Sequence, residues 1–216
     1  AELPGDVPLI GFAGAPFTLA SYAIEGRGSR NYIRVKRLMY SHPEVWDDLM
    51  RRLVDAVADY CRLQIDAGVQ AVQLFDSWVG CLSPRDYDVY VGRYTAELVR
   101  RVREAGAGRV PLILFGTGNP ALSRRMYATG PDVLALDWRA PLVETWEALG
   151  CTAVQGNLDP IVLCSDMHAV STQATELLDA VGGRPGHIFN LGHGIVPETP
   201  VDNVKHLVEV VQRHRP

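Results

Sequence analysis

Six short apolar runs in this 216-residue chain are each followed by side chains able to donate, accept or exchange a proton. Ser21 and Tyr22 follow the first run, Asp76 and Ser77 the second, Thr117 and Asn119 the third, Asp137 and Trp138 the fourth, Asn157 and Asp159 the fifth, and Asn190 and His193 the sixth. A phenol keeps its proton until about pH 10, so it can approach a carboxylate as a donor without charge repulsion. An imidazole, with an ordinary pKa of about 6.5, is a cation or a proton donor near neutrality. Gly192 and Gly194 flank His193 and permit close backbone approach there. Plainer readings stand beside these: Tyr22, like Phe75 inside the second run, as core packing, Ser77 as a helix cap, and His193 as a loop histidine. His42, His168, His187, His206 and His214 read as surface or capping residues.

The chain has no phosphate loop, no Cys-x-x-Cys pair and no His/Cys spacing that suits a metal, so Cys61, Cys81, Cys151 and Cys164 read as reduced, mostly buried thiols. Its composition, 47% hydrophobic and 21% charged, is that of a globular protein. A formal net charge of −4 excludes a general basic field for nucleic acid or an anionic membrane, so an anionic ligand must be met locally. Arg27, Arg30, Arg34, Lys36 and Arg37 form a basic run whose ordinary reading is the solvated face of a helix, and whose functional reading is attraction of a polyanion. No apolar stretch approaches the roughly 18 residues that span a bilayer, and the start lacks the features of a signal peptide. A cytoplasmic location is the expectation.

The elements that must hold these groups are legible in outline. The runs 7–12, 69–75, 110–115, 132–138, 151–156 and 186–192 are mostly continuous rather than alternating, as in strands buried on both faces. After Pro43, the residues Trp46, Leu49, Leu53, Val57, Tyr60 and Leu63 fall at helical spacing, with Gly68 just past the end. Ser83, Pro84 and Asp86 supply an N-cap, a first-turn proline and an acid, opening a helix that should run to Gly106. Thr199, Pro200 and Asp202 repeat that arrangement. Further helices are predicted over 30–41, 119–129, 141–149 and 165–181. Residues 11–28, GFAGAPFTLASYAIEGRG, look too rich in Gly, Ala and Pro for an ordinary helix, and GNLDP reads as a tight turn closed by Asn157 and Asp159.

Strand followed by helix, six times without a linker, implies one α/β domain over residues 1–216 with parallel strands, either an open doubly wound sheet or a closed barrel. Polar groups after all six strands suit the barrel, whose ring of strands aims them at one mouth. A full (β/α)8 TIM barrel takes about 250 residues and eight units. About six are found, so either the sheet is open or the barrel is incomplete, with two leading units missing.

GFAGAPFTLASYAIEG at 11–26, LFDSWVG at 74–80, LDW at 136–138, QGNLDP at 155–160 and NLGHGI at 190–195 together resemble the uroporphyrinogen decarboxylase family of the haem pathway. The resemblance covers essentially the whole chain and implies the C-terminal three-fifths of a (β/α)8 barrel, from its third strand onward. It further implies that Tyr22 faces the acetate being lost, that Ser77 hydrogen-bonds a neighbouring carboxylate, that Phe75 lines an apolar wall, and that His193 binds another carboxylate arm. The implied substrate is uroporphyrinogen, with no cofactor, and the implied assembly is a homodimer at full length. The family's Arg-Gln-Ala-Gly-Arg motif and its pyrrole-facing aspartate have no counterpart here, and Arg85, Arg124 and Arg139 stand in no matching context. The chain by itself is therefore expected to be inactive. The alternatives are a corrinoid-dependent methyltransferase of the same superfamily, which needs a His and Cys set for zinc that is missing here, and a non-catalytic truncated barrel.

Overall fold

The computed structural model describes residues 7–26 and 28–215, and it divides into two compact units, Ala1–Leu134 and Ala135–Pro216. The first unit runs β1 (Ile10–Gly14), α1 (Pro16–Glu25), α2 (Ile33–Ser41), α3 (Pro43–Asp66), β2 (Ala71–Asp76), α4 (Pro84–Tyr90), α5 (Gly92–Ala105), β3 (Leu112–Gly116) and α6 (Ser123–Tyr127). β4 (Val133–Ala135) carries the chain into the second unit, which holds α7 (Leu142–Leu149), β5 (Val154–Gln155), α8 (Met167–Val181), β6 (His187–Ile188) and α9 (Val201–Arg213). The strand order is β1-β2-β3-β4-β5-β6, the succession of an incomplete (β/α)8 barrel with six βα units.

The register of β1, β2 and β3 is parallel, with Gly14 opposite Phe75 and Phe75 opposite Phe115. Alternation therefore sets Phe12, Phe75 and Phe115 on one face, and Ala13, Leu74 and Leu114 on the helix-covered face. β3 is buried on both faces, as expected. β1 is not: Phe12 is 62% exposed and Ile10 is open beside it, because only the helix-facing side of this strand is covered among the described residues. In the second unit β5 and β6 pair in parallel and are only two residues long, and a bridge between Leu158 and Leu191 extends their alignment. Leu158, Leu163, Val170, Ala174 and Leu207 form one buried apolar cluster of that unit.

Three local expectations change. Pro16–Glu25 is an ordinary helix, since Pro16 sits at the first turn, where a missing N–H costs nothing, and the glycines fall only outside it, with Gly26 closing the end at φ 78°. The helix opened by Ser83 breaks at Val91, where φ is −130°; a β-branched residue followed by Gly92 is a weak point in any helix. Ser83 itself caps as expected, accepting the Asp86 N–H at 3.1 Å. Pro200, not Thr199, occupies the N-cap of α9 and makes no side-chain bond there, while Thr199 Oγ1 lies 3.8 Å from Cys164 Sγ.

In α3 the buried stripe is Trp46, Met50, Val54, Val57, Ala58 and Cys61, whereas Tyr60 and Leu63 are exposed. The helix carries two apolar rows, and packing on β1, α1 and α5 selects one of them. All four cysteines are free, and Cys164 is exposed. Among the described residues no helix is long and apolar enough to cross a membrane.

Candidate active site

In the first unit the groups gather past the C-terminal end of β2. Phe75 is half-buried and stands edge-on to Phe12 and Phe115, with ring centroids 6.2 and 5.8 Å away, so one face of the sheet presents a continuous aromatic wall. Ser77 begins the turn that follows and is half-buried. Tyr22, on the last turns of α1, is 47% exposed. Its ring meets Trp78 edge-on at 5.7 Å, and Tyr32 packs on the same indole at 5.8 Å. Trp78, the residue after Ser77, thus joins Tyr22 to the end of β2.

Asp76 faces away from Ser77, toward the helix layer, and is completely buried. Its Oδ1 accepts the Thr18 hydroxyl at 2.8 Å, and that hydroxyl oxygen accepts the Trp78 backbone N–H at 3.3 Å. The first turn of α1 is thereby tied to the residues around Ser77. Burial pushes the Asp76 carboxyl up to about 7, opposed by the side-chain and backbone donors of Thr18. Burial, followed by the nearby Cys81, pushes the Tyr32 hydroxyl up to about 12.

Thr117 is buried after β3, and Asn119 closes its own turn by accepting the Ala121 N–H at 3.2 Å. In the basic run, Arg27 lies outside the described residues. Arg30, Arg34 and Arg37 are exposed, and Lys36 reaches the Cys81 carbonyl at 2.6 Å, which fits the solvated-face reading for the arginines.

In the second unit the loop after β4 and the loop after β6 meet. Asp137 is buried; its Oδ1 accepts the Arg139 backbone N–H at 2.8 Å, and its Oδ2 pairs with Arg139 Nη1 at 3.0 Å. The Arg139 guanidinium lies 3.9 Å above the Trp138 ring, and the exposed His193 stands edge-on to the same ring at 6.3 Å. His193 Nδ1 accepts the Gly194 N–H at 2.7 Å, which leaves Nε2 to carry the proton of the neutral ring. A Cβ on Gly192 would strike the Trp138 backbone nitrogen, so the glycine is what lets these loops touch.

Asn157 does not close its own turn. Its Nδ2 donates to the carbonyls of Asp137 and Ala140 at 2.8 and 2.7 Å and braces the loop after β4, while Asp159 does cap locally, accepting the Ile161 N–H at 2.9 Å. His187, expected at the surface, is half-buried with Nε2 2.6 Å from the Gly156 carbonyl, and burial lowers its pKa despite that bond. Among the described residues no group of three or more His, Cys, Asp or Glu side chains could hold a metal ion.

Of the predicted site residues, Tyr22, Phe75 and Ser77 fall in the first unit around β2, and His193 falls in the second against Trp138. Trp78 and Arg139 received no role from the sequence, although each adjoins a polar strand end inside or beside a motif. Tyr32 carried no such signal.

The family model described as uroporphyrinogen decarboxylase (URO-D) matches residues 1–214. Proteins named uroporphyrinogen decarboxylase are 54% identical over 215 residues in Chloroflexus aurantiacus, 49% over 215 in Solibacter usitatus and 52% over 211 in Thermus thermophilus. These alignments cover 98 to 99% of this chain and 60 to 61% of the relatives, so the chain spans about three-fifths of their length. Among solved structures, a methyltransferase from Methanosarcina mazei superposes with a TM-score of 0.81 at 20% identity, covering 97% of this chain and 60% of that one. A dihydropteroate synthase from Xanthomonas albilineans gives 0.56 at 16%, covering 99% and 72%. At such identities the structural likeness speaks for the fold alone. The match along nearly the whole sequence decides the family: this chain belongs to the uroporphyrinogen decarboxylase family.

Proposed function

We propose that the protein at its full length removes the four acetate carboxyls of uroporphyrinogen III to give coproporphyrinogen III, without a cofactor. The observation that carries the reading is identity above one half, over 99% of this chain, to a protein named for that activity. In the reaction an acetate loses CO2 and its methylene gains a proton to become methyl. A pyrrole protonated on a ring carbon accepts the electron pair of the breaking C–C bond and returns it when the methylene is protonated, after which the ring proton leaves. The protein's task is then to place carboxylates and deliver protons, work done by positioning and fixed donors.

In this reading Tyr22 donates its phenolic proton in a hydrogen bond to the acetate being lost, and Ser77 bonds a neighbouring carboxylate. Phe75 supplies an apolar face for a pyrrole, and His193 offers Nε2–H to another carboxylate arm. The support within the structure is local: an exposed phenol held by Trp78, an aromatic wall at Phe75, and an imidazole whose Nδ1 is already engaged. The protein acts in the cytoplasm as a homodimer formed at full length.

Full-length protein incubated with uroporphyrinogen III under reducing conditions should yield hepta- to tetracarboxylate porphyrinogens, resolved by chromatography after oxidation. Recovery of the octacarboxylate alone would overturn the reading. The 216-residue chain by itself should give no products.

A further inference from the structure

In a row of side chains within the second unit, a buried carboxylate (Asp137), a guanidinium (Arg139), an indole (Trp138) and an imidazole (His193) follow one another in contact. We infer that Arg139 is a substrate-binding residue that takes a carboxylate arm of the ligand next to the arm held by His193. The inference rests on the function proposed above and adds to it a specificity-determining cation.

An arginine about half exposed to water would ordinarily sample many rotamers. This one is held at two points, by the face of Trp138 and by Asp137, while its side chain remains 48% exposed. The bond to Asp137 occupies one N–H of Nη1, and the side chain makes no other hydrogen bond among the described residues. The remaining fork of donors matches the geometry of a second carboxylate, and a stacked guanidinium gives up its hydration more readily than an ammonium. Asp137 does not depend on Arg139 for both of its oxygens, since Oδ1 is already satisfied by a backbone N–H.

The platform is braced. Asn157 braces both ends of the loop 137–140, and Gly192 brings the His193 loop against the Trp138 backbone. The indole lies between Arg139 and His193, with the guanidinium 3.9 Å above its ring and the imidazole edge-on to it at 6.3 Å. A ligand with several carboxylate arms on one framework can use both; a monocarboxylate can use only one.

The competing explanation is that Arg139 serves solely to balance the buried Asp137. Steady-state kinetics with uroporphyrinogen III on full-length parent, Arg139→Ala and Arg139→Lys separates the two, with thermal midpoints measured alongside. Binding by Arg139 requires KM to rise about tenfold or more in the alanine variant, with kcat changed less than about threefold and a weaker dependence of KM on ionic strength. The lysine variant keeps a cation for Asp137 but loses the fork and the stack, so its KM should rise too while its midpoint stays near the parent's. Should the alanine variant fail to fold, the lysine variant decides alone. An unchanged KM in a folded variant, with the parent active, overturns the inference and leaves the proposed function standing. A parent unable to decarboxylate uroporphyrinogen III removes both.

Discussion

Replacing Asp76 by Asn should flatten the pH dependence of stability. The Asp76 carboxyl has no cationic partner among the described residues, and burial raises it from an ordinary 3.8 to about 7. Below pH 3.8 it is protonated in both the folded and unfolded chain, and its stabilising contribution is complete. Between 3.8 and about 7 the unfolded chain releases the proton while the folded protein keeps it, so stability falls as pH rises. Above about 7 both forms are ionised and the loss is finished. Three pH units at 1.36 kcal/mol each bound that loss at about 4 kcal/mol.

Asparagine is neutral throughout and can still accept the Thr18 hydroxyl, but its buried amide N–H groups need acceptors, at a cost of about 1–3 kcal/mol. Near pH 8 the variant should therefore be more stable than the parent by about 1–3 kcal/mol, and near pH 4.5 less stable or equal. Urea unfolding followed by far-ultraviolet circular dichroism, at intervals from about pH 4.5 to about pH 8.5, gives the two curves. His187 acts in the opposite sense: burial depresses its pKa, so its contribution is present above the ordinary histidine value and is lost as pH falls. Taking the difference between variant and parent cancels that term. Parallel curves for the two proteins would refute the account of Asp76.

Two further outcomes test the site and its scaffold. Tyr22→Phe removes a hydroxyl from an exposed ring without disturbing its contact with Trp78, so in the full-length protein decarboxylation should slow by about 10- to 100-fold, the worth of one hydrogen bond to a charged group, with an unchanged thermal midpoint; equal turnover would sink the assigned role. Asn157→Ala leaves the carbonyls of Asp137 and Ala140 without their shared donor and should cost about 2–4 kcal/mol in urea unfolding, a loss below about 0.5 kcal/mol being incompatible with the bracing role.

The alternation of strand and helix, the helix starts at Pro43 and Ser83, the family and the kinds of chemistry present were legible in the order of residues alone. These follow from local rules: apolar period, capping residues and quoted motifs need only near neighbours in the chain. Even there the Gly-rich appearance of residues 11–28 misled, because composition was averaged across a helix and the loops beside it.

The choice between two apolar rows on α3, the burial of Asp76 against Thr18, the face on which Phe75 meets Phe115, and the stacking of Arg139 on Trp138 beside His193 came from the folded arrangement. Each depends on a partner from another element or on how a loop is held. Burial and partner, unlike periodicity, are set by what the rest of the chain brings alongside.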